Sequence, residues 1–520
     1  MVTSPHHLAS QAGLDVLRDG GTAIEAVVAT AAMLAVVYPH MTGIGGDGFW
    51  LIMWPDGRTE AIDASGRAAM AADLDLYRRA GLDAVPWRGP LAANTVAGTI
   101  SGWDAALRRS EELRPGLPLE RLLRDAIHHA RHGMVVTDGH AQLARVKAAE
   151  LVPVSGYAPL FMPDGRPLNA GEVFRNPRLA ETLERLARDG LADFYDGALL
   201  ADMLHDLAAA GSPLTEQDFF AHSAVCSPAL EMAIEGARLY NVPPPSQGVA
   251  SMLILAIADR LPRGRGEDFT HIHALVEATK QAFRYRDADV GDPAFMQATA
   301  QQMLDDPAFL DGMVRGIDMH KASVWPHDQQ PGDTTWLGAI DADGVAVSMI
   351  QSTYFEFGSG VVLPRTGIVW QNRGASFRLV EDGWNALRPG RKPFHTLNPA
   401  GARLGDGRTM VYGTMGGEGQ PQTQAAIFSR YVWHGMGLQE AVTAPRWLLG
   451  RTWGEQSAAL KYEDRFAPGV LKDLQAAGHE LERMPPFTAT MGHAGALVRH
   501  ADGVLEGATD PRSDGCVAAW

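Results

Sequence analysis

Thr334 is the residue of this chain best placed to act as a nucleophile. It stands in Gly332-Asp333-Thr334-Thr335-Trp336, just ahead of an apolar run. A hydroxyl side chain is a weak nucleophile unless a base lies within reach. If the chain is cut between Asp333 and Thr334, the new α-amine supplies that base from the same residue, because its ordinary pKa of about 8 suits proton transfer near neutral pH. Left uncut, the same Asp-Thr-Thr triplet is an ordinary turn or cap sequence. Gly416 and Gly417 offer complementary chemistry. They fall between a strand-like stretch at 409–413 and a helix expected to open near Gln420. Their backbone N–H groups can converge on one point, as an oxyanion hole requires, or they can simply make a tight strand-to-helix turn.

The elements that must position these groups are legible around them. Residues 337–340 are apolar, 341–344 carry an Asp-x-Asp-Gly turn signal, and 345–350 are apolar again, which predicts a hairpin opening just after Thr334. Helical periodicity predicts helices over 7–19 and 22–37, broken at Gly20-Gly21, and then over 105–114, 119–132, 178–189, 199–210, 248–259 and 272–286. Strands are expected at 49–54, 230–234 and 237–240. Further helices are expected near 420–436, 437–443 and 468–477. The Asp-, Gln-, Pro- and Gly-rich stretch 318–333 reads as an exposed loop, the kind of place where a chain is cut.

Composition narrows the function. A chain of 520 residues with 46% hydrophobic content can bury a large core, and a net charge of −16 disfavours nucleic acid or an anionic membrane surface as a partner. Cys226 and Cys516 are the only cysteines, so disulfides are not the scaffold. The longest apolar run, residues 26–38, is too short to span a membrane and reads as a buried helix. The start at Met1 carries no basic or apolar export pattern, which gives the expectation of a cytoplasmic protein. His6-His7, His128-His129 with His132, and His271 with His273 lack the accompanying Glu or Cys spacing of a metal motif, so no metal and no organic cofactor is expected. GIGGDG at 43–48 precedes a strand instead of following one. No Gly-Lys dipeptide or Gly-x-Ser-x-Gly elbow occurs.

Beyond these local signals, the chain resembles the γ-glutamyltranspeptidase family. The resemblance rests on Ser10-Gln11-Ala12-Gly13, Gly20-Gly21-Thr22-Ala23, PHMTGIGGDGF at 39–49, Gly102-Trp103, NVPPPSQG at 241–248 and Gly291-Asp292-Pro293. It continues through FGSG at 357–360, Gly416-Gly417, Ala444-Pro445-Arg446 and Asp510-Pro511-Arg512. This resemblance implies an α+β fold, the α/β/β/α sandwich of N-terminal-nucleophile hydrolases. It also implies self-cleavage into a large fragment, 1–333, and a small fragment, 334–520. Thr334 would be the nucleophile twice, first on the Asp333 carbonyl and then on substrate. Ser352, eighteen positions on, would hold its oxygen, and Gly416 with Gly417 would form the oxyanion hole. The implied partners are a small amide substrate and the chain's own two fragments, with room for a homodimer of processed units.

The substrate-facing positions depart from the family pattern. Transpeptidases of the family bind the glutamyl ammonium through an Asn and an Asp, and the carboxylate through an Arg and a Ser pair. The corresponding places here hold Tyr354, then Asn372, Arg373 and Ser376 within residues 370–377, and His395-Thr396. The carboxylate-binding Arg, expected at Ser65, is displaced to Arg67. Losing a carboxylate and gaining a guanidinium favours a bare carboxylate over a zwitterion. The segment 357–377 together with RKPFHTLNP at 391–399 resembles the oxamate amidohydrolase branch of the family. Two other outcomes stay open: γ-glutamyl hydrolysis or transfer through a rearranged pocket with Arg373 structural, and a scaffold without catalysis.

Overall fold

A computed structural model describes residues 1–325, 334–450 and 457–520. Two mixed-origin β-sheets face each other and helices cover both outer faces, giving the expected α/β/β/α sandwich. In spatial order the seven-stranded sheet runs Cys516–Ala518, Val2–Ser4, Thr335–Ile340, Ala346–Ser352, Asp47–Met53, Thr59–Ala64 and Val225–Pro228. The six-stranded sheet runs Leu505–Thr509, Ala494–Arg499, Thr409–Thr414, Ala400–Leu404, Ala237–Asn241 and Leu230–Ile234. Segments from both sides of Thr334 therefore interleave in each sheet.

Strand alternation builds the layers. In Asp47–Met53, Phe49, Leu51 and Met53 point into the core between the sheets, while Trp50 and Ile52 point to the helices outside. Trp336 and Ile340 join the inner core, and Leu337 and Ala339 the outer one. The helix Ala23–Val37 is buried along its whole length, as its uniform apolarity predicts. Its N-terminus is secured by Thr22 and Glu25 in a reciprocal capping box. On the far side, Gly248–Ala258 and Phe269–Asp289 cover the six-stranded sheet. Among the described residues no helix is long and apolar enough to cross a membrane.

Most expected elements form. Leu119–His132, Leu230–Ile234 and Leu438–Thr443 agree with prediction to within a residue. The helix expected at 105–114 begins earlier and spans Thr99–Glu111, and the single helix expected over 420–436 is instead Gln420–Phe428 followed by a π-helical turn, Ser429–Trp433. Asp138–Leu151 was not foreseen, because only scattered positions of it, His140, Ala141, Ala144 and Leu151, are buried. The expected exposed loop is exposed only in part: Val324 is open to solvent, whereas the Trp325 side chain is buried. Asp333 lies outside the described residues.

Buried histidines make the fold acid-sensitive. His6, His40 and His493 pack around Tyr38, whose hydroxyl bonds His493 Nδ1 at 3.0 Å, His140 packs on His40, and His271 is buried beside His434. Burial lowers His6 and His271 to about 3, His140 and His493 to about 4, and His40 well below its ordinary value. The unfolded chain takes up protons on these groups below about pH 6.5 and the folded chain does not, so their full stabilisation is present above 6.5 and falls towards pH 4. Asp47, raised to about 6, works in the opposite direction, as do Asp341 and Asp514, which burial also raises, but they are fewer than the histidines. Each histidine loses roughly 1.5 kcal/mol between pH 6.5 and 5. The expected result in a calorimetric pH series is a fall in Tm of about 5 °C between pH 7 and 5. A flat profile would contradict neutral burial of the cluster.

Candidate active site

Strand register lines up the first four groups. The pairs Thr335–Gln351 and Gln351–Gly48 are adjacent across neighbouring strands, and Ser352 pairs directly with Asp47. Continuing each ladder by one residue sets Thr334 opposite Ser352, and Asp47 opposite Ser65. Partners directly opposite share a sheet face, so Thr334, Ser352, Asp47 and Ser65 form one row, spaced about 5 Å from strand to strand. By alternation that face is the one Phe49, Trp336 and Ile350 present to the inter-sheet core. The row is thus a polar margin at the end of an apolar layer, and all four residues are buried.

The second sheet brings the glycines to this row. Thr409–Thr414 ends two residues before Gly416, which adopts φ of 115°, and Gly417 follows at 52°. Side chains disfavour that left-handed region, so the turn requires glycine. Among the described residues neither N–H of the pair has an acceptor. The chain then enters Gln420–Phe428, and Gln420 Nε2 donates to Thr334 Oγ1 at 3.2 Å. Gln420 Oε1 accepts from both nitrogens of Asn398, at 3.3 and 3.1 Å, which fixes the orientation of the amide. The first residue of the helix, three positions after Gly417, therefore contacts the Thr334 side chain.

A cationic group lies beside the row. Arg373 is 1% exposed, donates to Thr396 Oγ1 at 3.1 Å and to the Phe394 carbonyl at 2.5 Å, and lies 3.7 Å from the Tyr354 ring centroid. Its Nε has no hydrogen-bond partner, and no carboxylate of the described residues pairs with it. Burial lowers its pKa, outweighing the nearby Tyr354, Asp47 and Glu418, which act to raise it. Tyr354 holds φ of 82°, unusual for a side-chain-bearing residue. Its N–H donates to Ser352 Oγ at 2.8 Å, which helps to hold that conformation. Phe355 and Trp87 extend the stack outwards from Tyr354.

The remaining expected residues divide. Ser376 Oγ donates to the same Phe394 carbonyl at 3.3 Å, and Asn372 ties the segment to the Phe355 N–H and the Trp87 carbonyl. His395 Nε2 lies 3.1 Å from Asp47 Oδ2, and burial followed by the Arg373 charge keeps its pKa well below the usual range. The neutral ring therefore donates to an ionised Asp47. Arg67 does not join this buried cluster. Its side chain is 47% exposed, donating to the Gly390 carbonyl at 3.0 Å and lying 3.6 Å from Asp292. Ser65, one strand position away, bonds Asp63 instead of carrying a cation.

Sequence reasoning missed Asp47, Gln420 and Asn398. Asp47 accepts from Gly66 N–H, Gly98 N–H, Gln371 Nε2 and His395, and burial pushes its pKa up to about 6 despite these bonds. It joins segments far apart in the chain, which no local pattern announces. Gln420 had one usable signal, its place one turn after the glycine pair.

Comparison with known proteins agrees with the fold. The family model described as gamma-glutamyltranspeptidase matches residues 9–520. The chain is 52% identical over 521 residues to the oxamate amidohydrolase proenzyme of Klebsiella pneumoniae, covering 100% of this chain and 98% of that protein. It is 40% identical to the glutathione hydrolase-like YwrD proenzyme of Bacillus subtilis, covering 99% and 97%. Among solved structures, the cephalosporin acylase from Bacillus halodurans superposes with a TM-score of 0.91 at 31% identity, covering 100% of this chain and 95% of that one.

Proposed function

Because the chain belongs to the γ-glutamyltranspeptidase family of N-terminal-nucleophile hydrolases, we propose that it hydrolyses a small carboxylate-bearing amide of the oxamate type through an acyl ester on Thr334. In the precursor, Thr334 Oγ attacks the Asp333 carbonyl carbon, the peptide C–N bond breaks, and water hydrolyses the resulting ester. Fragments 1–333 and 334–520 result, and Thr334 gains a free α-amine. That amine takes the Oγ proton as the oxygen attacks the substrate amide carbon. The Gly416 and Gly417 N–H groups receive the developing oxyanion, at about 3 to 4 kcal/mol per donor. Ammonia leaves with the proton, and water attacks the acyl ester to release a dicarboxylate and restore the hydroxyl.

The observation that carries this reading is Arg373, a buried guanidinium that no carboxylate of the described residues bonds, beside the nucleophile row. An anionic substrate supplies the missing counter-charge. A γ-glutamyl group would need an anionic contact for its ammonium, and Asp47, the acid in the row, is already taken by four donors. The similarity to a glutathione hydrolase-like protein keeps γ-glutamyl cleavage as the competing reading. A substrate panel separates them. Oxamate should be hydrolysed with kcat/KM at least about 100-fold above that of a γ-glutamyl anilide, a ratio that one well-placed charge can produce. Efficient turnover of the anilide with oxamate inert would overturn the proposal. Location in the cytoplasm and pairing of processed units as a homodimer belong to the same proposal and are read by fractionation and by solution mass.

A further inference from the structure

The helix Phe269–Asp289 carries a polar stripe for which the chemistry above has no use. His273, Glu277, Lys280 and Arg284 follow at spacings of four, three and four, so they share one helix face. Glu277 is fully buried and Lys280 nearly so. Each of the four reaches residues 318–324, the stretch that leads towards Asp333. His273 Nε2 donates to the Asp318 carbonyl at 2.9 Å. Glu277 accepts from the Ser323 N–H at 3.1 Å and from the Ser323 hydroxyl. Lys280 Nζ bridges Glu277 at 2.6 Å and the Ser323 carbonyl at 2.7 Å, and Arg284 donates to the Val324 carbonyl at 3.1 Å. From the opposite side the Ala322 N–H donates to the Ala477 carbonyl at 2.8 Å, and His479 bonds His273 at 2.8 Å. Trp325 then packs against Phe283 of the same helix. Most of these bonds are to main chain, so they fix the path of the segment whatever its side chains.

The C-terminal turns of that helix brace the glycine pair. Arg286 bonds Glu418 at 3.0 Å and Gln247 Oε1 at 3.0 Å, while Gln247 Nε2 donates to the carbonyls of Gly417 and Thr396. One rigid element thus holds the chain shortly upstream of Asp333 and the donors downstream of Thr334.

We propose that His273, Glu277, Lys280 and Arg284 form a clasp that positions the precursor for self-cleavage. The inference rests on the reading that the Asp333–Thr334 bond is the one cut. The four are positioning residues: they touch neither the scissile carbonyl nor Thr334, and act by limiting where the upstream chain can go. Their demand falls on the precursor alone, since a broken chain no longer needs tethering. The ligand atoms of His273, Glu277 and His479 lie within 4.8 Å of one another and could gather a divalent cation. Both Glu277 oxygens are already taken by Lys280 and Ser323, and His273 Nδ1 by His479, so the geometry points to the clasp.

The test uses full-length chains made by cell-free synthesis, with translation stopped and conversion of the 55.9 kDa precursor followed by gel and N-terminal sequencing. The double variant Glu277→Gln/Lys280→Met removes opposite charges together and leaves neither unpaired. Arg284→Ala is a milder change at an exposed position. The expected result is conversion slowed about 10-fold or more in the double variant and about 2-fold in Arg284→Ala, with Tm and the mature kcat and KM unchanged. Conversion at the wild-type rate overturns the clasp, as does an equal loss in mature kcat. So does a stoichiometric metal that is present in the wild type and lost in His479→Ala. If the wild type itself yields no fragment led by Thr334, the proposed function fails with it; a wild type that is cut at Thr334 beside variants that are cut as fast sinks the clasp alone.

Discussion

Thr334→Ala is expected to remain a single 55.9 kDa chain after prolonged incubation and to show no turnover above background. The substitution removes the only atom proposed to attack Asp333, and with it both the cut and the α-amine that serves as base. Oxyanion donors alone cannot rescue the variant, because the amine that should deprotonate a replacement water stays locked in a peptide bond. The expected loss is at least about 10⁴-fold in kcat/KM. Thr334→Ser retains a hydroxyl at the same atom and is expected to be cut into the same two fragments. The Gln420 contact at 3.2 Å gives the serine oxygen a partner in place. Intact mass and N-terminal sequencing read both variants. Cleavage of Thr334→Ala at the same bond would remove Thr334 from the mechanism and leave the row at the strand ends without its chemistry.

The extent to which sequence exposed this site follows from how its parts are encoded. Leu119–His132 was legible because its buried Leu122, Leu123, Ala126 and Ala130 recur at helical spacing. The hairpin after Thr334 was legible because a turn signal separates two apolar runs, and the pairing of residues 335–340 with 346–351 bears that out. From that hairpin alone, Thr334 opposite Ser352 could have been read. The third member of the row could not, since Asp47 comes from a strand some 300 residues earlier and local pattern does not encode which strands become neighbours. The resemblance marked Ser65 as the place where a cation was missing, and the structure puts Ser65 next in the row. What it misjudged was compensation by Arg67, because two positions further along the chain leads out of the strand to the surface. The cation that does lie beside the row comes from a different segment altogether, and Arg373 was singled out only because its residue type clashed with the family pattern.

Arg373→Met is expected to lose substrate binding while leaving the protein as stable as the wild type, or more so. Ordinarily, truncating a buried arginine destabilises, because a paired carboxylate is left behind. Here no carboxylate of the described residues bonds Arg373, and the charges of Asp47 and Glu418 offset only part of the cost of burying the guanidinium. Methionine fills similar space against Tyr354, and the Phe394 carbonyl keeps its bond from Ser376. The charge-assisted bonds to the substrate carboxylate are lost, which at roughly 3 kcal/mol corresponds to a drop of about 100-fold in kcat/KM for oxamate. Two thermal measurements separate this from a structural role. A dicarboxylate product added in excess should raise the Tm of the wild type, since binding only the folded state stabilises it, and should leave Arg373→Met unmoved. Without ligand, the variant's Tm should equal or exceed that of the wild type. A lowered Tm with unaltered KM would make Arg373 a packing residue and return the pocket to the γ-glutamyl reading. The predicted pattern, stability held while binding is lost, is what a site shows when it keeps a charge unpaired so that its substrate completes it.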